Sequence, residues 1–184
     1  MRMFATLVSG MILGAVAITL IVYFYFVTGK APVATSAPPM PFEQKLAHKA
    51  LNARISREMP KSVPLQADEP KLAAGAKVYR EHCAVCHGLP EQRETPIAAG
   101  MYPHPPKLLE GKGVTDDEPG ESYWKIANGI RLTGMPGFRP ALSETQMWQV
   151  GLLVANADKL PKFVHDSLSA PLISDEAAKD VLTQ

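Results

Sequence analysis

Cysteine is scarce in this 184-residue chain: there are two, three positions apart. A small disulfide-stapled domain would spread more of them along its length, so that class is excluded. Charge of one sign is lacking too. The formal net charge is +1, from 19 Lys and Arg against 18 Asp and Glu. The stretch from Lys71 to Lys159 holds ten of each. No basic field argues for nucleic acid, and electrostatic steering has no sign to read. There is no internal repeat and no alternating strand pattern. There are no paired carboxylates, no Ser/His/Asp set and no phosphate loop to support catalysis. What abounds is punctuation. Seventeen prolines and thirteen glycines imply long loops rather than a helix-dense bundle.

Met3 to Val27 runs for 25 residues without a charge. As a helix it spans roughly 37 Å, at about 1.5 Å per residue, enough for a hydrocarbon core of about 30 Å. Tyr23, Phe24, Tyr25 and Phe26 would then lie at one interface. The competing reading is a cleaved secretory signal, but its apolar region is usually shorter, about 7–15 residues. Residues 1–30 are therefore read as a retained anchor. Gly10 and Gly14 make a GxxxG, a spacing common in membrane helices and weak as a dimer signal. Arg2 and the amino terminus against Lys30 leave orientation almost undecided by charge.

Residues 31–70 form a proline-rich linker with a short helix. Ala31 to Pro41 favours extended polyproline geometry, roughly 30 Å of reach. Residues 42–59 carry Ala47, Leu51, Ile55 and Met59 at four-residue intervals among charges. This predicts a helix lying on the main domain, with a membrane-surface helix as the alternative. Residues 71–161 read as a compact α domain. Its first helix, near Leu72–Glu81, carries Leu72, Ala76, Tyr79 and Cys83 on one side. A loop with Pro90, Pro96, Pro103, Pro105 and Pro106 follows. A middle helix near Glu121–Asn128 stops at Asn128-Gly129. The last opens with the capping-box pattern Ser143-Glu144-Thr145-Gln146. Trp148, Gly151, Leu152 and Ala155 make its buried stripe, and Leu160-Pro161 ends it. Residues 162–184 are a tail without a readable pattern.

Both cysteines fall within Cys83-Ala84-Val85-Cys86-His87. Two thiols at this spacing reach the two vinyl groups on one edge of a haem, and the adjacent histidine then lies beneath the iron. A redox dithiol would want a βαβ context. Tetrahedral zinc would want four ligands, and no second CxxC or HxxxH is present. The motif therefore predicts one covalent haem c on Cys83 and Cys86, with His87 as an axial iron ligand. The haem's two propionates would tip the region acidic.

The sixth position decides between electron transfer and oxygen or peroxide chemistry. Met135, 48 residues past His87, sits in the tight loop Thr133-Gly134-Met135-Pro136-Gly137 and is the expected second ligand. A soft sulfur ligand favours ferrous iron and raises the potential. Met101, in the Tyr102-Pro103-His104 loop, and Met147, beside the helical stripe, are the runners-up. Met147 reads better as core packing against Leu142. His82 and His104 read as surface residues, with no metal-ligand cluster beside them.

With these residues named, the stretch from about Lys71 to Pro161 resembles the class I, monohaem, His/Met cytochromes c, especially bacterial membrane-anchored members. Gly75-x-x-x-Tyr79-x-x-x-Cys83 looks like their first helix, whose glycine lets the last helix cross closely. Trp148 and Leu152 fall where the last helix meets it. Asn128-Gly129-Ile130 and Thr133-Gly134-Met135-Pro136 look like the methionine loop. The resemblance covers about half the chain. It implies an all-α class I cytochrome c fold around a covalent haem, preceded by an N-terminal transmembrane helix. It also implies a proline carbonyl accepting from the ligand histidine, with Pro96, Pro105 and Pro106 all eligible. Arg131, Trp124 and Tyr102 are propionate-partner candidates by position only.

The resemblance implies haem attachment outside the bacterial inner membrane, so the haem domain should face the periplasm. The expected function is a membrane-tethered single-electron carrier, not an enzyme. Its redox partners would be a dehydrogenase or quinol-oxidising complex on one side and an oxidase or another cytochrome on the other. A dedicated cytochrome subunit of a larger complex is the second reading, and an open-haem enzyme or gas sensor the third.

Overall fold

A computed structural model describes residues 2–110 and 116–170. Every regular element in them is helical, as expected. They fall into two compact units, Met1–Leu46 and Ala47–Gln184.

The first unit contains α1, Arg2–Val27, which is exposed throughout. It is the one helix among the described residues long and apolar enough to cross a membrane. The threonine hydroxyls in it and just beyond its end are satisfied internally. Thr6, Thr19 and Thr28 donate to the carbonyls of Arg2, Ala15 and Phe24, at 2.9, 2.9 and 2.5 Å. That lets polar side chains sit in an apolar helix without orphaned groups.

Helix α2, Glu43–Glu58, covers the helix expected over 42–59. Of the expected stripe only Ile55 is buried. Leu51 and Met59 are half-buried and Ala47 is exposed. The C-terminal part docks through polar and backbone contacts. The Trp124 indole N–H donates to Glu58 at 3.2 Å, and Arg54 pairs with Glu58 at 2.6 Å. The Pro60 carbonyl approaches so closely that a β-carbon on Gly120 would fall 2.2 Å from it.

The core of the second unit is built by three helices. Helix α3, Glu69–His82, is N-capped by Asp68, whose carboxylate accepts from the Lys71 N–H at 3.0 Å. A single turn α4, Ala84–His87, follows it, and another, α5, Pro96–Ala99, lies further along. Then come α6, Pro119–Asn128, and α7, Glu144–Ala155, the latter with the full capping box of Ser143 and Gln146. Glycine sets the approach of α7 to both neighbours. A β-carbon on Gly75 would lie 2.4 Å from the Gln149 carbonyl oxygen and 3.3 Å from Leu153 Cβ. Gly75 itself meets Gln149 and Leu153, while the expected Trp148 and Leu152 lie buried in the same core as Leu72, Ala76 and Tyr79. Trp148 also stacks on Tyr123 of α6, with centroids 4.3 Å apart and planes at 16°. Met147 is buried with Leu142 in the same core, as expected of a packing residue.

Helix α7 ends at Ala155, ahead of the expected Leu160-Pro161, and a 3-10 turn spans Ala157–Lys159. The core does not stop at Pro161. Helix α8, Lys162–Ser169, buries Val164 and Leu168 in it. Arg80 of α3 caps its end, donating to the carbonyls of Ser167 at 2.9 Å and Ala170 at 2.6 Å. Gln92 donates to the carbonyls of Ser169 and Ala170, both at 3.1 Å. The rest of the expected tail, residues 171–184, lies outside the described residues.

Candidate haem centre

The motif occupies the end of α3 and the turn α4. Cys83 caps α3 through its N–H to the Tyr79 carbonyl, at 2.8 Å. Cys86 and His87 sit at the end of the next turn. The two cysteines are unpaired thiols, both half-buried. Burial, and secondarily the neighbouring Cys86, push the Cys83 thiol up to about 12.

His87 Nδ1 lies 2.7 Å from the Pro106 carbonyl oxygen. A carbonyl only accepts, so Nδ1 carries the proton and Nε2 keeps its lone pair. Of the three prolines left open by sequence, Pro106 holds this position. Burial moves His87 below the ordinary histidine range, the bond to Pro106 opposing it. A neutral ring with one oriented lone pair is what a metal ligand requires.

Two further contacts brace the turn. Tyr79, fully buried, donates its hydroxyl to the Gly88 carbonyl at 3.0 Å. Thr95, the N-cap of α5, donates to the Val85 carbonyl at 2.6 Å and accepts from the Ala98 N–H at 3.1 Å. A cleft beside the turn is lined by Cys86, His87, Glu94, Thr95, His104 and Lys107. His104, an expected surface residue, is exposed and paired with Glu94.

Met135 is half-buried and packs on the same hydrophobic core as Cys83. Its loop is closed by backbone bonds. Ile130 N–H donates to the Met135 carbonyl at 3.1 Å, and Phe138 N–H to the Ile126 carbonyl at 2.9 Å. The Met135 N–H donates to the Thr133 hydroxyl at 3.1 Å, which donates to the Ile130 carbonyl at 2.7 Å. Gly129 opens the loop at φ +68° and ψ −178°, a conformation essentially reserved for glycine. The His82 and Phe138 rings meet edge to face at 6.0 Å. That contact joins the residue before Cys83 to one three positions after Met135. Sequence offered no signal for it, because neither residue belongs to a periodic stripe.

The propionate-partner candidates separate. The Trp124 N–H is engaged by Glu58, whereas Arg131 is exposed and Tyr102 half-buried.

The donor set fits haem c. Two cysteines and a preoriented imidazole stand on one turn, and the bond to Pro106 leaves a single ring nitrogen able to bind a metal. Among the described residues no group of three His, Cys, Asp or Glu side chains converges to hold a bare ion. Iron carried by its own macrocycle needs only one or two protein ligands.

Residues 70–152 match the family described as cytochrome c oxidase, cbb3-type, subunit III. No curated protein matches the chain. Among solved structures, the Kuenenia stuttgartiensis reducing HAO-like protein complex is similar, with 27% identity and a TM-score of 0.45. That similarity covers 52% of this chain and 47% of that one, so the chain spans about half of the matched structure's length.

Proposed function

Because residues 70–152 are a c-type cytochrome domain, a domain type that implies haem c and electron transfer, we propose a membrane-tethered, periplasmic single-electron carrier. One haem is held covalently by Cys83 and Cys86, with His87 and Met135 as axial ligands. The observation that carries this reading is the 2.7 Å contact between His87 Nδ1 and Pro106. It turns the histidine of a CxxCH turn into an oriented ligand.

Each side of the site has a defined task. When bound, haem supplies reversible one-electron chemistry at its iron. His87 presents Nε2, and Pro106 keeps the ring from rotating. Tyr79 and Thr95 hold the turn that carries it. Met135 presents a thioether from a loop closed by backbone bonds, and as a ligand it would leave the iron no open position for oxygen or peroxide. The α1 helix anchors the chain, with the N-terminus cytoplasmic and residues from Lys30 onward periplasmic. Partners of the kinds expected from sequence, dehydrogenase or quinol-oxidising complex and oxidase or another cytochrome, would dock at the haem edge. Such encounters are small and weak.

A second reading is a dedicated subunit of an oxidase or dehydrogenase complex. The subunit description of the matching family favours it, and purification in mild detergent distinguishes the two by what co-migrates. Absorption spectra test the ligand set. We expect low-spin iron in both oxidation states, a weak red ferric charge-transfer band from iron–thioether ligation, and slow carbon monoxide binding. Met135→Ala should abolish the band and open the iron to carbon monoxide. High-spin iron in the wild type, or a band that survives Met135→Ala, would overturn the ligand assignment.

A further inference from the structure

The runner-up methionine has a place of its own. The Met101 side chain is half-buried, and its terminal methyl rests on Gly134, the residue before Met135. A β-carbon on Gly134 would fall 2.0 Å from that methyl and 3.5 Å from the Met101 sulfur. Only a residue without a side chain lets the thioether lie there. Met101 follows α5 directly, its N–H donating to the Ala98 carbonyl at 3.1 Å. The same short helix is tied at its other end to the motif turn, through Thr95 and the Val85 carbonyl. One continuous path therefore runs from the Cys83–His87 turn through Thr95, α5 and Met101 to Gly134 and Met135.

We propose that Met101 is a positioning residue for Met135, and that α5 with Met101 forms a strut setting the methionine loop relative to the His87 turn. The inference rests on the reading of Met135 as the axial ligand. The remainder of the loop explains why a strut is needed. Elsewhere the loop is held by the Thr133 hydroxyl within it and by close backbone packing, with Gly129 packed on residues 135–137 and Gly137 packed on Asn128. The three atoms nearest to a β-carbon placed on Gly134 all belong to Met101. A flexible, polarisable side chain fills such a gap without demanding a fixed shape.

The test uses the full-length holoprotein and reads the ferric iron–thioether band and its loss on alkaline titration. Met101→Ala should lose more than half of the band and surrender the rest at lower pH than the wild type. Met101→Leu, similar in volume, should restore most of it. Gly134→Ala should weaken the band by evicting the methyl, and should add nothing further in the Met101→Ala background. Met135→Ala is run beside them. If Met135→Ala loses the band while Met101→Ala keeps both the band and its alkaline endpoint, the strut is wrong and the ligand stands. If Met101→Leu gives no rescue, bulk is not what Met101 contributes and the strut is again wrong. If the band survives Met135→Ala and vanishes in Met101→Ala and Met101→Leu, Met101 is itself the ligand and both readings fall. Should Met101→Ala not accumulate, the Leu variant and Gly134→Ala decide the matter alone.

Discussion

Gly88 and Gly129 hold nearly the same backbone conformation, at φ 75°, ψ 176° and φ 68°, ψ −178°. One follows His87; the other opens the loop of Met135. Their surroundings differ completely. No protein atom lies within 4 Å of a β-carbon placed on Gly88. At Gly129 that carbon would meet Gly137 N at 2.5 Å, Pro136 C at 2.6 Å and Met135 O at 2.8 Å. The His87 side is thus a local turn braced by side-chain hydrogen bonds. The Met135 side is a loop packed backbone on backbone. A turn tolerates a methyl group if its torsions can be held, whereas packed backbone has nowhere to move.

The largest effect should come from that pair. Gly129→Ala combines strain of about 1–3 kcal/mol with overpacking of about 1–3 kcal/mol, and should lose the thioether band while haem stays attached. Gly88→Ala carries the strain alone, about 1–3 kcal/mol, and should keep the band. Chemical denaturation and ferric spectra check both, and equal losses would erase the distinction.

Gly75→Ala comes next, at about 2–3 kcal/mol, because the Gln149 carbonyl cannot yield to a new β-carbon. Its effect lies in the scaffold, so thermal unfolding should move while the spectrum of the folded protein stays unchanged. Tyr79→Phe is smaller, about 1 kcal/mol for the lost bond to the Gly88 carbonyl. It also changes the pH profile. Burial raises Tyr79 far above its ordinary value of about 10, so the folded chain keeps a proton that the unfolded chain releases. The contribution is fully present below about pH 10 and declines above it. Denaturation curves across the alkaline range should show that decline in the wild type and a shallower one in Tyr79→Phe. Ser143→Ala, which breaks the capping box of α7, should cost about 0.5–1 kcal/mol and leave both sides spectroscopically silent.

The same contrast explains what was legible in the sequence. Local chemistry could be read: the motif turn, the capping box at Ser143 and Gln146, the stop at Gly129 and the apolar run of α1. The methionine loop could be named from its glycines and proline, but not how it is braced. That Pro106, rather than Pro96 or Pro105, meets His87 depends on how the loop between them, 19 positions from His87 to Pro106, returns. The α8 helix escaped notice because it holds only two buried residues and its cap, Arg80, stands 87 residues from Ser167. The closest approach at the α3–α7 crossing was not readable, because Gly75 meets the Gln149 backbone carbonyl there and a stripe of apolar side chains does not mark carbonyls. The Glu58 contact to Trp124 pairs residues from two segments, each of which looked complete alone.

The central claim is a single haem joined to both cysteines of one turn. Mass spectrometry of the denatured, protease-digested holoprotein tests it most directly. The account predicts one haem on the peptide containing Cys83 to His87, no alkylatable thiol in the wild type, and none retained in the Cys83→Ala/Cys86→Ala variant. Haem released intact on denaturation, or a peptide with both thiols free to alkylate, would contradict it.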